Sequence, residues 1–124
     1  MTVPKFVLLI LLVGALCGCN AEARKTAAMM TGGDPDRGKT TITQYGCNAC
    51  HTIPGIAGAN ALVGPSLDQI ASRSYIAGVL ENTPENMIQW IQNPPAVAPK
   101  TAMPHLNVTE AEARDIAAYL YTLR

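Results

Sequence analysis

The chain has 124 residues, nine basic and nine acidic, with no formal net charge and 48% hydrophobic against 15% charged residues. That length supplies one small domain and not two. Charges scattered singly and in balance disfavour nucleic-acid binding and predict no strong steering by one charged face.

Lys5 precedes an unbroken apolar run over residues 6–13 that continues through Gly14, Ala15 and Leu16. The run has the length of a signal-peptide hydrophobic region and falls short of the ~20 residues that a membrane-spanning helix needs. Residues 1–18 are therefore expected to be an export signal. The end of the run, Leu16-Cys17-Gly18-Cys19, resembles a bacterial lipobox, in which a small residue precedes a cysteine that is lipidated and becomes the mature N-terminus. Gly18 before Cys19 fits this pattern, and Leu16 before Cys17 does not. Ordinary cleavage nearby, with both cysteines discarded or paired, is the alternative. Residues 19–33 are small and polar and read as a lipidated, flexible tether. About fourteen flexible residues span roughly 20 Å, enough for a domain to swing between partners at a membrane surface. The alanines of this stretch leave partial helix as the other reading, and Met29 and Met30 read as methionines near a flexible end rather than as ligands.

The folded part opens with Asp34-Pro35, a helix N-cap followed by proline at the first helical position, with Asp36 favouring the positive helix end. The helix is expected to run to about Gly46, and Gly38 inside it predicts a close helix contact.

Cys47-Asn48-Ala49-Cys50-His51 follows, a C-x-x-C-H run that is the attachment signature of a c-type haem. On a helical turn, positions i, i+3 and i+4 share one face, so all three side chains can address one flat ligand. The two thiols can form thioethers with adjacent haem vinyl groups, while the imidazole of His51 serves as proximal iron ligand. Three blander readings compete. A thioredoxin-like redox pair wants a βαβ pattern, which does not follow. A structural zinc site needs four ligands, and the other two cysteines, Cys17 and Cys19, lie in the processed segment. Chance is poorly supported in a chain with four cysteines and two histidines. A haem would give every helix of so short a chain a large apolar partner, and poor folding is expected without it.

Residues 53–65 form a loop rich in glycine and proline that can wrap an edge of the ligand. Thr83-Pro84-Glu85 starts a middle helix that Pro94-Pro95 must end near Asn93, with Met87, Ile88, Trp90 and Ile91 on its apolar side. Thr109-Glu110-Ala111-Glu112 is a capping box for a last helix that reaches about Leu123, with Ala113, Ile116, Ala117 and Leu120 at i, i+3, i+4 and i+7. No strand pattern competes, so the expected fold is all-α, with three main helices, short helices and long loops around one covalent haem.

From Asp34 onward the chain resembles a class I c-type cytochrome, the small monohaem type with His/Met ligation. Gly38, the Cys47 to His51 motif, Gly64-Pro65-Ser66-Leu67, Asn93-Pro94, Thr101-Ala102-Met103-Pro104 and Ile116-Ala117-Ala118-Tyr119-Leu120 occur in that family's order. The resemblance implies that Met103 is the second axial ligand, a soft thioether that favours ferrous haem. His105, two residues on, is the competing ligand, and Met87 reads as core. The Pro65 carbonyl is implied to accept the proximal imidazole's Nδ1–H. Arg73 occupies the place of a basic residue near a propionate, and Trp90 that of an aromatic packed beside the haem; a solvated arginine and plain core packing are the competing readings. Gly38, Ile42, Ile116 and Tyr119 are implied to join the first and last helices, while Tyr45 and Tyr75 have no assigned role.

Ile42 replaces a usual aromatic, and the lysine ring used by mitochondrial cytochromes c is absent, with Lys100 alone near the Met103 loop. Partner docking is therefore expected to rest on apolar contact and membrane co-localisation, with weak salt dependence. Residues 75–86 resemble cytochrome c domains attached to terminal oxidases. The implied function is single-electron transfer in a bacterial respiratory chain at the periplasmic side of the membrane, by an exported lipoprotein that transforms no small-molecule substrate and whose redox partner is a terminal oxidase or other respiratory complex. A haem enzyme or gas sensor with a labile sixth ligand, and an electron-transfer subunit of a periplasmic dehydrogenase, are the alternatives.

Overall fold

The computed structural model describes residues 5–124, with side chains from Gly18 onward. The export-signal reading of residues 1–18, Cys17 included, falls almost wholly on side chains outside those described. The elements in chain order are α1 (Lys5–Thr31), α2 (Pro35–Gln44), a 3-10 turn (Cys47–Ala49), a second 3-10 turn (Ile70–Ser72), a hairpin of β1 (Tyr75–Ile76) and β2 (Leu80–Glu81), α3 (Pro84–Gln92), the short α4 (Pro94–Val97) and α5 (Glu110–Leu120). The fold is all-α, as the sequence predicts, and helices α1, α2 and α3 all pack on α5.

Helices α2, α3 and α5 each start where a side chain satisfies free backbone N–H groups. Asp34 accepts from the N–H groups of Asp36 and Arg37 ahead of α2, and Thr83 from that of Asn86 ahead of α3. Thr109 and Glu112 close the capping box reciprocally: the Glu112 carboxylate accepts from the Thr109 N–H at 3.0 Å, and the Thr109 hydroxyl from the Glu112 N–H at 3.3 Å. Helix α5 stops at Leu120, a few residues short of the expected end, because the chain tightens into a turn with Thr122 N–H donating to the Tyr119 carbonyl.

The α2–α5 contact is the centre of the core. Ile42 and Ile116 are 1% and 3% exposed, each contributing about 2 kcal/mol by burial. The helices approach so closely that a Cβ on Gly38 would lie 1.9 Å from the Asp115 carbonyl oxygen. That is the close contact the glycine predicts. Asp115 holds the start of α2 from the other side, accepting from the Asp34 N–H at 2.7 Å and from Arg37 at 2.8 and 2.9 Å. Tyr45, just past α2, donates its hydroxyl to Glu112 at 2.8 Å.

Two expectations are corrected. Residues 19–31 are not a flexible tether but the C-terminal half of α1, lying against α5. Ala21, Ala23, Ala27 and Ala28 carry the highest intrinsic helix propensity, and Ala27, fully buried, is small enough to let the two helices meet. Residues 75–81 contain a two-stranded ladder where no strand was expected. Ala77 and Gly78, at φ 53° and 70°, form a turn of the primed type that reverses the chain within too few residues to leave a period.

Candidate haem-binding site

Gly46, at φ 71°, takes the left-handed conformation after α2 and turns the chain out of the helix. The motif then closes on itself, the N–H groups of Cys50 and His51 both donating to the Cys47 carbonyl at 3.2 and 3.0 Å. One tight turn thus presents Cys47, Cys50 and His51 together. Both thiols are free and half-buried. Burial pushes the Cys47 thiol above its ordinary pKa, with the neighbouring Cys50 adding to the rise and a backbone hydrogen bond opposing it, so its sulfur stays protonated at neutral pH.

His51 Nδ1 lies 2.7 Å from the Pro65 carbonyl oxygen. A carbonyl can only accept, so Nδ1 carries the proton and Nε2 keeps its lone pair for a metal. Gly64 lies flat against the same ring: a Cβ there would stand 2.5 Å from His51 Cε1 and 2.8 Å from Nδ1. The loop is stitched back to the motif by the Gly64 N–H on the Cys50 carbonyl at 2.7 Å and the Leu67 N–H on the Thr52 carbonyl at 2.9 Å.

Behind this loop stands a second layer of donors. Arg73 Nη2 donates to the carbonyls of Ser66 at 2.6 Å and Asp68 at 2.7 Å. Its guanidinium is therefore engaged by the backbone that follows Pro65. Asn82 in turn donates to the carbonyls of Ile70 and Arg73, both at 2.8 Å, and accepts from the Tyr121 hydroxyl at 2.7 Å. Asn82 and Tyr121 were not singled out from sequence, where an asparagine before a Thr-Pro helix start signals only a turn.

The remaining candidates come from other elements. Trp90 on α3 is half-buried against the core, and Met87 on the same helix is 2% exposed within it, as expected of a core methionine. Met103 lies half-buried on the loop between α4 and α5, its N–H held by the Thr101 hydroxyl at 3.1 Å, while His105 is exposed. Cys19 is exposed on α1. The structure therefore gathers Cys47, Cys50, His51, Pro65 and Arg73 into one hydrogen-bonded assembly, and brings Trp90 and Met103 from separate elements.

The donor set fits haem: an imidazole of fixed tautomer, a glycine that leaves its ring room, and two unpaired thiols one turn away. Zinc is less well served, since among the described residues no group of three or more His, Cys, Asp or Glu side chains could hold a metal ion. The family model for cytochrome c matches residues 35–124. The chain is 30% identical over 108 residues to "Cytochrome c oxidase subunit 2" of Alkalihalophilus pseudofirmus, a match over 86% of this chain and 30% of that protein. It is also 30% identical over 87 residues to the protein of the same name from Bacillus sp. strain PS3, covering 67% of this chain and 24% of the relative. The chain thus spans less than a third of the length of these relatives, and the first match, being longer than residues 35–124, runs on into α1. No solved structure matches. From the C-x-x-C-H turn, the fixed imidazole and the match over the whole helical domain, the chain belongs to the cytochrome c family, an electron-transfer protein with covalently attached haem c.

Proposed function

We propose that this chain is a monohaem, single-electron carrier of a bacterial respiratory chain, held at the periplasmic side of the membrane by lipidated Cys19 and serving a terminal oxidase rather than transforming a substrate itself. The observation that carries the reading is the 2.7 Å contact between His51 Nδ1 and the Pro65 carbonyl, one turn from two free thiols. Haem bound there supplies an iron that exchanges one electron between ferrous and ferric states. The chain's own part is to anchor through Cys47 and Cys50, to ligate through His51 Nε2 and Met103, and to keep the ligand set unchanged during transfer. The Pro65 carbonyl strengthens the imidazole donor, and Arg73 ties down the backbone that follows it through the Ser66 and Asp68 carbonyls.

Two features support an oxidase-like partner met through apolar contact. Both relatives bear the name of an oxidase subunit. Leu62 and Val63, next to the glycine that touches His51, are 87% and 77% exposed, and a charged docking ring is absent from the sequence. Such a patch supports docking by desolvation, with an association rate that changes little with ionic strength.

The test is the near-infrared band of sulfur-to-ferric-iron ligation in the oxidised holoprotein. Its presence in wild type and in His105→Ala, with its loss in Met103→Ala, is the expected result. A holoprotein without the band in wild type overturns His/Met ligation.

A further inference from the structure

The C-terminal half of α1 lies outside the matched family domain, yet it is seated on that domain by specific contacts. Ala27 is fully buried in the same core as Ala113 and Ile116. Thr31, one turn on and 1% exposed, bonds its hydroxyl to the Ala27 carbonyl at 2.9 Å and receives the Gly33 N–H at 3.1 Å. Arg114 of α5 donates to the Thr31 carbonyl at 2.9 Å, placing a cation at the negative end of α1. Its neighbour Asp115 receives the N–H of Asp34 at the positive end of α2. Consecutive residues of α5 therefore clasp both helix ends at the α1–α2 turn. Gly33 lies between them, where a Cβ would stand 2.1 Å from the Arg114 carbonyl oxygen. Arg24, two turns back along α1, pairs with Asp36 of α2.

From these contacts we propose that residues 20–31 are a docked helical arm, which holds the cytochrome domain in one orientation to the bilayer instead of letting it swing. The orientation rests on the anchoring of Cys19 proposed above; the docking does not. A lipid on Cys19 sits at the start of a helix whose far end is fixed to α5, only ~18 Å away at 1.5 Å per residue. Swinging the domain independently of that anchored helix then requires undocking the arm.

The experiment uses the full-length lipidated holoprotein in flow-oriented vesicles of phosphatidylethanolamine and phosphatidylglycerol. It reads linear dichroism of the haem absorption, hydrogen exchange of the arm's amides, and the mass of the Cys19 peptide. Expected are a clear dichroism and exchange in residues 27–31 slowed on the order of 100-fold relative to unstructured peptide. In Ala27→Glu, which places a charge where the arm meets the core, both are lost while the haem spectrum stays. Arg114→Gln, a milder change, lowers protection of the arm's last turn about tenfold by loss of its charged cap. Unprotected arm amides in wild type overturn the docking. Protected amides without dichroism, on protein shown to carry the lipid, overturn the orientation alone. A Cys19 without lipid overturns the anchoring, and the orientation with it, while protection in the arm still stands for the docking.

Discussion

The helical layer and the loop layer of this molecule are held together by different forces. Where α1, α2 and α3 meet α5, apolar side chains interlock, and Ile42, Ala113, Ile116, Ala117 and Leu120 are all buried. Outside α3, residues 52–109 make few regular hydrogen bonds, and among the described residues every exposed large hydrophobic residue apart from Met29 and Met30 lies there. That half is pinned by polar side chains on backbone carbonyls, chiefly Arg73 and Asn82, with Tyr121 tying Asn82 to the end of α5. The helices form a scaffold by packing, whereas the loops are shaped by directed bonds around the position of His51. Global stability is therefore expected to reside in the first layer and the tuning of the site in the second.

The largest effect expected from this difference is that of Gly38→Ala. The added Cβ meets a backbone oxygen, which cannot rotate away, so α2 and α5 must separate. A loss of about 3 kcal/mol or more is expected, read as a fall in the denaturation midpoint followed by helical circular dichroism. A change under about 1 kcal/mol would show that the helix contact yields more easily than its geometry implies.

Next in size is Asn82→Ala. It takes one donor from the Ile70 carbonyl, which keeps the Arg73 N–H at 3.3 Å, and removes the side-chain donor of the Arg73 carbonyl and the acceptor of the Tyr121 hydroxyl; a cost of about 2 kcal/mol follows from losing these partly buried hydrogen bonds. Tyr121 also reports on this node: burial pushes its hydroxyl up to about 12, with Glu85 adding to the rise. In Asn82→Ala the tyrosine should ionise at a lower pH, measured by ultraviolet titration. An unchanged titration would mean that burial of the ring, and not the Asn82 node, governs this tyrosine.

Gly64→Ala separates the layers most cleanly. The three atoms nearest the added Cβ all belong to the His51 ring, so thermal stability should fall by less than about 1 kcal/mol. The ring must tilt or the Pro65 carbonyl retreat, weakening the imidazole's donor strength. A lower yield of holoprotein and a shifted reduction potential are expected, and a potential equal to wild type with full haem incorporation would sink this role for Gly64.

The scaffold was legible in the sequence because its signals are local and chemically distinctive. Asp34-Pro35, Thr83-Pro84 and the Thr109–Glu112 box each start a helix within a residue of the observed place, and C-x-x-C-H announces its own ligand. The arm was misread as flexible because an alanine-rich segment gives the same composition to a tether and to a helix that finds a partner; what distinguishes them are contacts remote in sequence, such as Ala27 against Ala113 and Ile116 and Arg114 on the Thr31 carbonyl, more than eighty residues on. The node at Asn82 was invisible for the opposite reason. Its three partners lie at residues 70, 73 and 121, and no period or motif relates these positions.

The smallest expected effect concerns the clasp between α2 and α5. Burial pushes the Asp115 carboxyl upward, but the Arg37 side chain and the Asp34 N–H together outweigh it and hold the carboxyl below its usual value. A carboxyl whose folded pKa is depressed contributes stability that is fully present above its unfolded value and is lost as pH falls through the folded one. Stability should therefore decline below about pH 4, the ordinary aspartate value, and Asp115→Asn should flatten that decline at the cost of a weaker α2 start at neutral pH. Glu112 is held down in the same direction, first by the Thr109 hydroxyl and then by the Thr109 N–H and the Tyr45 hydroxyl, so Asp115→Asn should flatten the acid limb only in part. Full flattening would assign the whole acid response to the clasp, and an unaltered limb would move it to the Glu112 cap. Because the loop layer is pinned through neutral amides and a permanently charged arginine, its site spectrum should hold constant across the same acid range in which the helical layer loosens.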